Sequence, residues 1–219
     1  MAMSDENRYS VKETAVIVID VQNDYCSADG ALGRRGFDVS RVQRMVPRLK
    51  DFIQGAERCE VPVVYIRTTH DETTDTPQWL GRVGKTSDGD LLSNVICRTG
   101  SWGSEFYEIS PGPEDLVITK HRFSAFVGTR LDLTLRSLGV SSLLFTGVTT
   151  DICVGSSVRD GLFHEYYVSV VEDCSEAFSK SAHEETLKNI ASNFGTIVKS
   201  DMIMNVWKRE ADRKSQLVQ

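Results

Sequence analysis

The sequence has no hydrophobic run long enough to cross a membrane. Its longest uninterrupted apolar stretches, such as residues 15–19, are about five residues long, whereas a membrane-spanning helix needs about 20. Residues 1–10 are polar and hold no apolar signal-peptide core. We therefore expect a protein that resides in the cytoplasm.

An excess of positive charge is also missing. The chain has 25 Lys and Arg residues against 31 Asp and Glu residues, a formal net charge of −6. Nucleic-acid binding relies on a basic surface, so this balance argues against a nucleic-acid partner. Hydrophobic residues make up 40% and charged residues 26% of the chain, which is typical of globular proteins and excludes disordered or fibrous ones.

The cysteines show no paired spacing. The chain has 5 Cys, an odd number, and no two of them form a CxxC motif. A disulfide framework or a zinc site built on cysteine is therefore not expected. Each cysteine is either a small buried side chain or a reactive thiol. They are Cys26, Cys59, Cys97, Cys153 and Cys174.

Short apolar runs alternate with amphipathic segments, which predicts alternating strands and helices. Strands are predicted over residues 14–20, 61–67, 115–120, 142–147, 166–172 and 196–199. Helices are predicted over residues 45–57, 129–138, 150–163 and 181–194. This order predicts an α/β fold, a three-layer α/β/α Rossmann-like sandwich around a mainly parallel six-stranded sheet.

One domain is predicted over residues 11–208, between an N-terminal tail of residues 1–10 and a charged, fraying C-terminal tail of residues 209–219. Pro47 is expected in the first turn of its helix, where its missing N–H does no harm. Residues 68–112 hold no strong periodic element. A connection of that length indicates a functional insertion or an oligomer contact.

Chemically useful side chains follow three of the predicted strands. Asp20 ends the first strand, Lys120 ends the third, and Cys153 lies in the first turn of the helix after the fourth. Each residue alone has an ordinary structural explanation, but ligands bind at the carboxyl ends of parallel strands. Together they predict a thiol nucleophile, an acid that accepts its proton and a cation. A helix start favours a thiolate at Cys153.

The segments around these residues carry a resemblance. The stretches VIDVQND, ITKHRFSAF and TGVTTDICV resemble the three motifs of the isochorismatase-like cysteine hydrolases. They occur in the order and approximate spacing of that family, over residues 11–208. The resemblance implies an Asp20–Lys120–Cys153 triad. It also implies a cis peptide bond between Val148 and Thr149, with the amides of Thr149 and Cys153 forming an oxyanion hole.

The resemblance also bears on the branch of the family. The cysteine argues against the isochorismatases that cleave a vinyl ether. Nicotinamidases hold a metal with an Asp-x-His motif and a further histidine, but after the second strand this chain has His70 and no second histidine before His121. We therefore expect no metal and no cofactor. Residues 36–40, 100–103 and 159–166 are most similar to the branch of ureidoacrylate and biuret hydrolases.

Four polar or partly polar side chains are candidates for substrate contact. Gln22 and Tyr25 follow the first strand, at positions that face the substrate in the family. An arginine, either Arg67 or Arg122, could bind a carboxylate through two parallel hydrogen bonds.

Three aromatic residues could form the walls of a site for a flat substrate. They are Phe37, Phe126 and Trp102. Ordinary core packing is the alternative explanation for each of them.

The sequence thus predicts an amidohydrolase that cleaves a C–N bond of a small amide or ureide through a thioester and releases ammonia. The alternatives are a vinyl-ether hydrolase, a nicotinamidase or a binding module without activity. A homo-oligomer, either a dimer or a tetramer, is expected.

Overall fold

The computed structural model describes residues 5–82 and 96–217, and the alternation of strands and helices is confirmed there. The strands are β1 (Thr14–Ile19), β2 (Val63–Thr68), β3 (Leu116–Lys120), β4 (Ser142–Val148), β5 (Tyr167–Glu176) and β6 (Thr196–Val198). The helices are α1 (Asp5–Arg8), α2 (Asn23–Cys26), α3 (Ser40–Arg58), α4 (Pro77–Leu80), α5 (Leu131–Ser137), α6 (Gly155–Phe163), α7 (Lys180–Asn193) and α8 (Ser200–Leu217). Gly33–Arg35 and Trp102–Ser104 are 3-10 turns, and Thr150–Val154 is a π-helical turn.

The strands form the predicted six-stranded sheet, in the order β3-β2-β1-β4-β5-β6. Every adjacent pair is parallel. All residues of β1 are buried, as expected for a central strand that is covered on both faces. The order reverses direction between β1 and β4, and such a switch point opens a crevice at the carboxyl ends of the two strands.

Alternate residues of β1 pack into two separate cores, one on each face of the sheet. Val16 and Val18 belong to the core that α3 and α8 cover, where Phe52 stacks on Trp207 at 5.4 Å between ring centroids. Ile17 belongs to the core that α5, α6 and α7 cover. Successive side chains of a strand point to opposite faces of the sheet, so both faces carry a core covered by helices, and the fold has three layers.

A glycine allows β4 to approach β1 at the edge of the sheet that carries the site. Gly147 has φ +97°, and a Cβ atom there would lie 2.1 Å from the carbonyl oxygen of Ile19. Only glycine accommodates both this backbone conformation and this contact. The ends of the two strands are thereby held side by side.

The predicted position of Pro47 is wrong. The helix α3 begins at Ser40, so Pro47 lies inside the helix and not in its first turn. Proline removes one backbone hydrogen bond from a helix interior. The helix continues because its buried face, which includes Val42, Val46 and Leu49, packs on the sheet. Tertiary packing outweighs the local signal.

The predicted tails also need correction, because the folded unit extends into both. Tyr9 is 1% exposed and its hydroxyl is 3.0 Å from the Ser169 hydroxyl. The backbone carbonyl of Tyr9 accepts a hydrogen bond from Trp207. At the other end, α8 continues to Leu217, and the Glu210 carboxylate accepts a hydrogen bond from the Val11 backbone.

The segment 68–112 is described only in part. It contains α4 and the turn Trp102–Ser104, while residues 83–95 of the predicted insertion lie outside the described residues. Its role as an insertion or oligomer contact stays a prediction. Among residues 5–82 and 96–217, no helix is long and apolar enough to cross a bilayer.

Candidate active site

The three predicted reactive side chains meet at the carboxyl edge of the sheet. Asp20 directly follows β1, Lys120 is the last residue of β3, and Cys153 lies in the π-helical turn after β4. The backbone of Asp20 has φ +52°, which is uncommon for a residue with a side chain. Such conformations cluster at functional sites.

Asp20 and Lys120 form a buried ion pair. The Lys120 Nζ atom lies 2.7 Å from Asp20 Oδ2, and each side chain is 1% exposed. Thr68, the last residue of β2, joins the two groups. Its hydroxyl accepts a hydrogen bond of 2.7 Å from Lys120 and donates one of 3.0 Å to Asp20 Oδ1. A buried ion pair is stable only with such additional hydrogen bonds.

The ammonium group of Lys120 also reaches the thiol. Its Nζ atom lies 3.5 Å from Cys153 Sγ and donates a further hydrogen bond of 3.0 Å to the Arg122 carbonyl. Burial opposes the charged form of Lys120, but the adjacent Asp20 and Cys153 outweigh this effect, so the pKa of Lys120 is raised. The lysine is therefore a permanent cation between the acid and the thiol.

The expectation that the helix start favours a thiolate is wrong for the resting site. Burial raises the pKa of the Cys153 thiol to about 12, with Lys120 opposing and Asp20 adding to the shift. Cys153 is 7% exposed, and a low dielectric penalises its charged form. At neutral pH the thiol carries its proton, and a base must remove that proton before the sulfur can react.

The turn that carries Cys153 has the expected backbone. The Val148–Thr149 peptide bond is cis, as the resemblance implied. The Thr149 carbonyl accepts hydrogen bonds from the backbone N–H groups of Ile152 and Val154, both at 3.1 Å. Thr149 and Cys153 line the same cavity.

That cavity has a volume of about 330 Å³ and reaches down to the lysine and the thiol. It is of the size of small-molecule sites in other proteins. Its walls are mainly aromatic and apolar. The aromatic residues are Tyr25, Phe37, Trp79, Phe123 and Phe178. Tyr25 and Phe37 were predicted from the sequence, and Phe37 packs against Phe178 with 5.4 Å between ring centroids.

Gln22 does not reach the cavity, and its prediction as a substrate ligand needs correction. Its amide nitrogen donates hydrogen bonds to the carbonyls of Thr68 and Ser104, both at 2.8 Å. Its amide oxygen accepts a 2.7 Å hydrogen bond from the Thr68 backbone. These bonds use the polar groups of the side chain, so Gln22 joins the end of β2 to the turn at Ser104.

Two of the predicted aromatic walls also lie elsewhere. Phe126 belongs to the core beneath α5 and α6 and stacks on His164, with ring centroids 4.9 Å apart. Trp102 is 50% exposed and does not line the cavity. Core packing, the alternative explanation, is correct for Phe126.

Only one of the two predicted arginines lies at the cavity. Arg67 is exposed and donates to the Thr119 hydroxyl, whereas Arg122 lines the cavity. A second arginine, Arg82, was not predicted. Arg82 and Arg122 both lie over the Trp79 ring, with guanidinium carbons 3.5 Å and 4.8 Å from its centroid. Burial lowers the pKa of Arg82, although an arginine side chain stays protonated in proteins.

His70, expected to be an ordinary loop residue, lines the cavity and is buried. Its Nδ1 atom faces Asp75 Oδ1 at 3.6 Å. Burial lowers the pKa of His70 to about 4, and Asp75 opposes the shift only in part, so the ring is neutral at pH 7. Among the residues described, no group of three or more His, Cys, Asp or Glu side chains is arranged to hold a metal ion.

Some of the missed residues carry a signal in the sequence. Thr68 ends a strand of the same sheet, so the rule that selects Asp20 and Lys120 also selects Thr68. The Thr76–Pro77 pair marks a helix start, because threonine caps and proline is favoured in the first turn. That helix positions Trp79. No comparable pattern identifies His70.

Fold and site together describe an α/β protein with a buried thiol at the sheet's switch point. A family model described as "Isochorismatase domain" matches residues 14–202. The ureidoacrylate amidohydrolase RutB of Methylobacterium radiotolerans is 36% identical over 194 residues, which are 84% of this chain and 75% of that protein. The ureidoacrylate amidohydrolase RutB of Serratia proteamaculans is 33% identical over 208 residues, 90% of this chain and 84% of that protein.

Among solved structures, a cysteine hydrolase from Pseudomonas syringae pv. phaseolicola has a similar fold. Its TM-score is 0.78 at 24% identity, and the match covers 91% of this chain and 94% of that one. The chain belongs to the isochorismatase family and is a hydrolase.

Proposed function

We propose that this hydrolase is a cofactor-free cysteine amidohydrolase that cleaves a C–N bond of a small ureide or carbamoyl compound. One observation carries the proposal: a buried thiol lies 3.5 Å from a lysine ammonium that is paired with a carboxylate, at the floor of a cavity of about 330 Å³. A nucleophile, a base and an orienting cation are thereby within reach of one another. The amidohydrolase relatives support this chemistry.

The first half of the reaction forms a thioester. Asp20 accepts the proton of the Cys153 thiol as the sulfur attacks the carbonyl carbon of the substrate. The carbonyl oxygen becomes an oxyanion, which the backbone amides of Thr149 and Cys153 stabilise. The C–N bond then breaks, Asp20 returns the proton to the leaving nitrogen, and ammonia or an amine departs.

The second half restores the enzyme. Asp20 removes a proton from water as the water oxygen attacks the thioester carbon. The C–S bond breaks, and the thiolate sulfur takes the proton back from Asp20. The product is a carboxylic or carbamic acid. The high pKa of the thiol fits this scheme, because Cys153 rests as a neutral thiol and loses its proton only as the new bond forms.

Lys120 does not exchange a proton in this scheme. Its raised pKa keeps it cationic, and its distance to both reacting groups allows it to favour their charged forms in turn. Thr68 fixes the relative positions of the acid and the lysine.

The lining of the cavity supports a flat substrate with an anionic end. Aromatic side chains form its walls, and Arg82 and Arg122 contribute positive charge beside Trp79. Guanidinium groups bind carboxylates through paired hydrogen bonds. A ureido acid, which joins a planar ureide to a carboxylate, combines both features.

A comparison of kcat/KM for ureidoacrylate, an N-carbamoyl amino acid, biuret, nicotinamide and isochorismate tests this proposal. We expect ureidoacrylate or the carbamoyl acid to be the best substrate, with analogues that lack the paired polar groups weaker by up to about 10⁴-fold. Preference for nicotinamide, or cleavage of isochorismate alone, would refute the proposal and favour the alternative chemistry.

The assembly and location of the protein stay predictions. We expect a homo-oligomer, either a dimer or a tetramer. Analytical ultracentrifugation tests this expectation. Residence in the cytoplasm is tested by fractionation of cells.

A further inference from the structure

A hydrogen bond links the π-helical turn Thr150–Val154, which carries Cys153, to α7. Thr149 and Asp151 line the cavity, whereas Thr150 between them does not and is fully buried. The Thr150 hydroxyl lies 2.8 Å from Nδ1 of His183, which α7 carries. This contact joins positions 33 residues apart and attaches the turn to α7.

His183 is itself held by a charged network. Its Nδ1 atom lies 3.6 Å from Glu176 Oε1. Both Glu176 oxygens accept hydrogen bonds from Arg41, at 3.1 Å and 3.0 Å, and Oε1 also accepts one from the Ala177 backbone. The network therefore runs from α3 through the end of β5 to α7. It fixes the histidine ring against two elements of the fold.

The histidine is suited to a neutral hydrogen bond. Burial lowers the pKa of His183, and Glu176 opposes the shift. At pH 7 the neutral ring has one nitrogen that donates and one that accepts. Whether Nδ1 donates or accepts, it can form a hydrogen bond with the Thr150 hydroxyl, because a hydroxyl group can act as acceptor or donor.

Thr150 is well placed to transmit this constraint. It directly follows Thr149 and opens the π-helical turn Thr150–Val154, which also contains Cys153. The Thr150 carbonyl accepts a hydrogen bond from Gly155, the first residue of α6. A displacement of Thr150 therefore shifts the Thr149 and Cys153 amides relative to each other.

We infer that His183 is a positioning residue, and that its hydrogen bond to Thr150 sets the geometry of the two amides that bind the oxyanion. This inference rests on the proposed function, because it assigns those amides a task in the reaction. His183 does not line the cavity. It acts through Thr150, and it contributes to kcat more than to KM because the oxyanion forms only in the transition state.

Two pairs of variants test the bond. His183→Leu removes the partner of Thr150, whereas His183→Asn retains a polar atom near the position of Nδ1. Thr150→Val removes the hydroxyl at almost constant volume, and Thr150→Ser keeps it. We expect the Leu and Val variants to lose about 10- to 100-fold in kcat, with KM within about twofold. The Asn and Ser variants should recover most of the loss. Lys188→Gln, on the exposed side of α7, is the matched control and should behave as wild type.

Alkylation of the thiol separates positioning from general damage. Iodoacetamide reacts with the sulfur by direct displacement and forms no oxyanion, so the second-order rate of Cys153 alkylation should be unchanged in His183→Leu and Thr150→Val. Equal losses in alkylation and turnover, or a wild-type kcat in both variants, would overturn the inference. Thermal melting identifies a variant that fails to fold, and in that case the other member of the pair decides.

The same assays distinguish this inference from the proposed function. A Cys153→Ala protein that still turns over would overturn both. An inactive Cys153→Ala protein together with fully active His183→Leu and Thr150→Val proteins would overturn only the role of His183.

Discussion

The ion pair between Lys120 and Asp20 and the ion pair between Arg136 and Asp132 are close in length but lie in opposite surroundings. The nitrogen–oxygen distances are 2.7 Å and 3.1 Å. The side chains of the first pair are each 1% exposed, whereas Arg136 and Asp132 are 58% and 33% exposed on α5. The first pair is shielded from water, and the second is partly exposed to it.

The difference separates stability from chemistry. A solvated pair one helical turn apart contributes little to stability, because water and salt screen its charges. A buried pair loses hydration that its attraction hardly repays, and replacing both partners by apolar residues is often neutral or stabilising. We therefore attribute the buried pair to the proposed reaction, in which Cys153 requires charged groups beside it, and not to a contribution to folding.

The largest effect should come from removal of the buried acid. Asp20→Asn keeps the size of the side chain and tolerates the left-handed backbone at this position. It should lower kcat/KM by about 10²–10⁴-fold, because a general base and acid is lost in both halves of the reaction. Asp132→Asn is the matched surface change, and turnover measured for it should stay within about twofold of wild type. If Asp20→Asn and Asp132→Asn lost comparable turnover, the buried ion pair would matter no more for activity than the exposed one.

Removal of the buried cation should be costly for folding. Lys120→Met leaves the Asp20 carboxylate buried and without its cation, so we expect unfolding free energy to fall by about 3–5 kcal/mol. The double variant Asp20→Asn with Lys120→Met has no buried charge and should regain most of that loss, although it should not turn over. Urea denaturation measures both proteins. A double variant less stable than Lys120→Met would contradict this interpretation.

The buried side chain of His70 should make the protein less stable in acid, because Asp75 offsets only part of the cost of charging it. The pKa of His70 is lowered from 6.5 to about 4, so the unfolded chain binds this proton more readily than the folded one. Stability is fully present above pH 6.5 and is lost as the pH falls towards 4, by up to about 3 kcal/mol. A His70→Gln protein should lose less over the same range. If the unfolding free energies of the two proteins fall equally as the pH is lowered, His70 is not the cause of the acid sensitivity.

The smallest effect should come from the surface pair. Arg136→Ala should lower the melting temperature only slightly, because an exposed ion pair adds little stability, and the difference should shrink in 1 M salt because the exposed charges are screened. Thermal melts at low and high salt measure this. A loss as large as that of Lys120→Met would mean that burial does not distinguish the two pairs.

The sequence predicted the sheet and the meeting of Asp20, Lys120 and Cys153 because both depend on local patterns. Apolar runs mark strands such as β1 and β4, and parallel strands bring Asp20, Lys120 and the turn of Cys153 to one edge. The motifs around them added the cis bond. These features need no knowledge of side chains that are distant in the chain.

The rest of the site depends on contacts between distant residues. Gln22 has an amide suited to a substrate, yet Thr68 and Ser104 use its hydrogen bonds. Phe126 and Phe37 are both phenylalanines near the motifs, but only Phe37 lines the cavity. The partnership of His183 with Thr150 links positions in different elements. Tertiary packing determines which partner each of these side chains contacts, and the periodicity of the sequence carries no information about those contacts.

We expect Cys153 to be the covalent nucleophile, and two alanine substitutions test this role. Cys153 and Cys59 are both free thiols, and Cys59 lies at the end of α3, outside the cavity. The measurement is kcat/KM of Cys153→Ala and Cys59→Ala on the best ureide substrate. Cys153→Ala should lose at least about 10³-fold in kcat/KM, while Cys59→Ala should keep wild-type turnover. A Cys153→Ala protein that keeps its turnover would show that Cys153 is not the nucleophile.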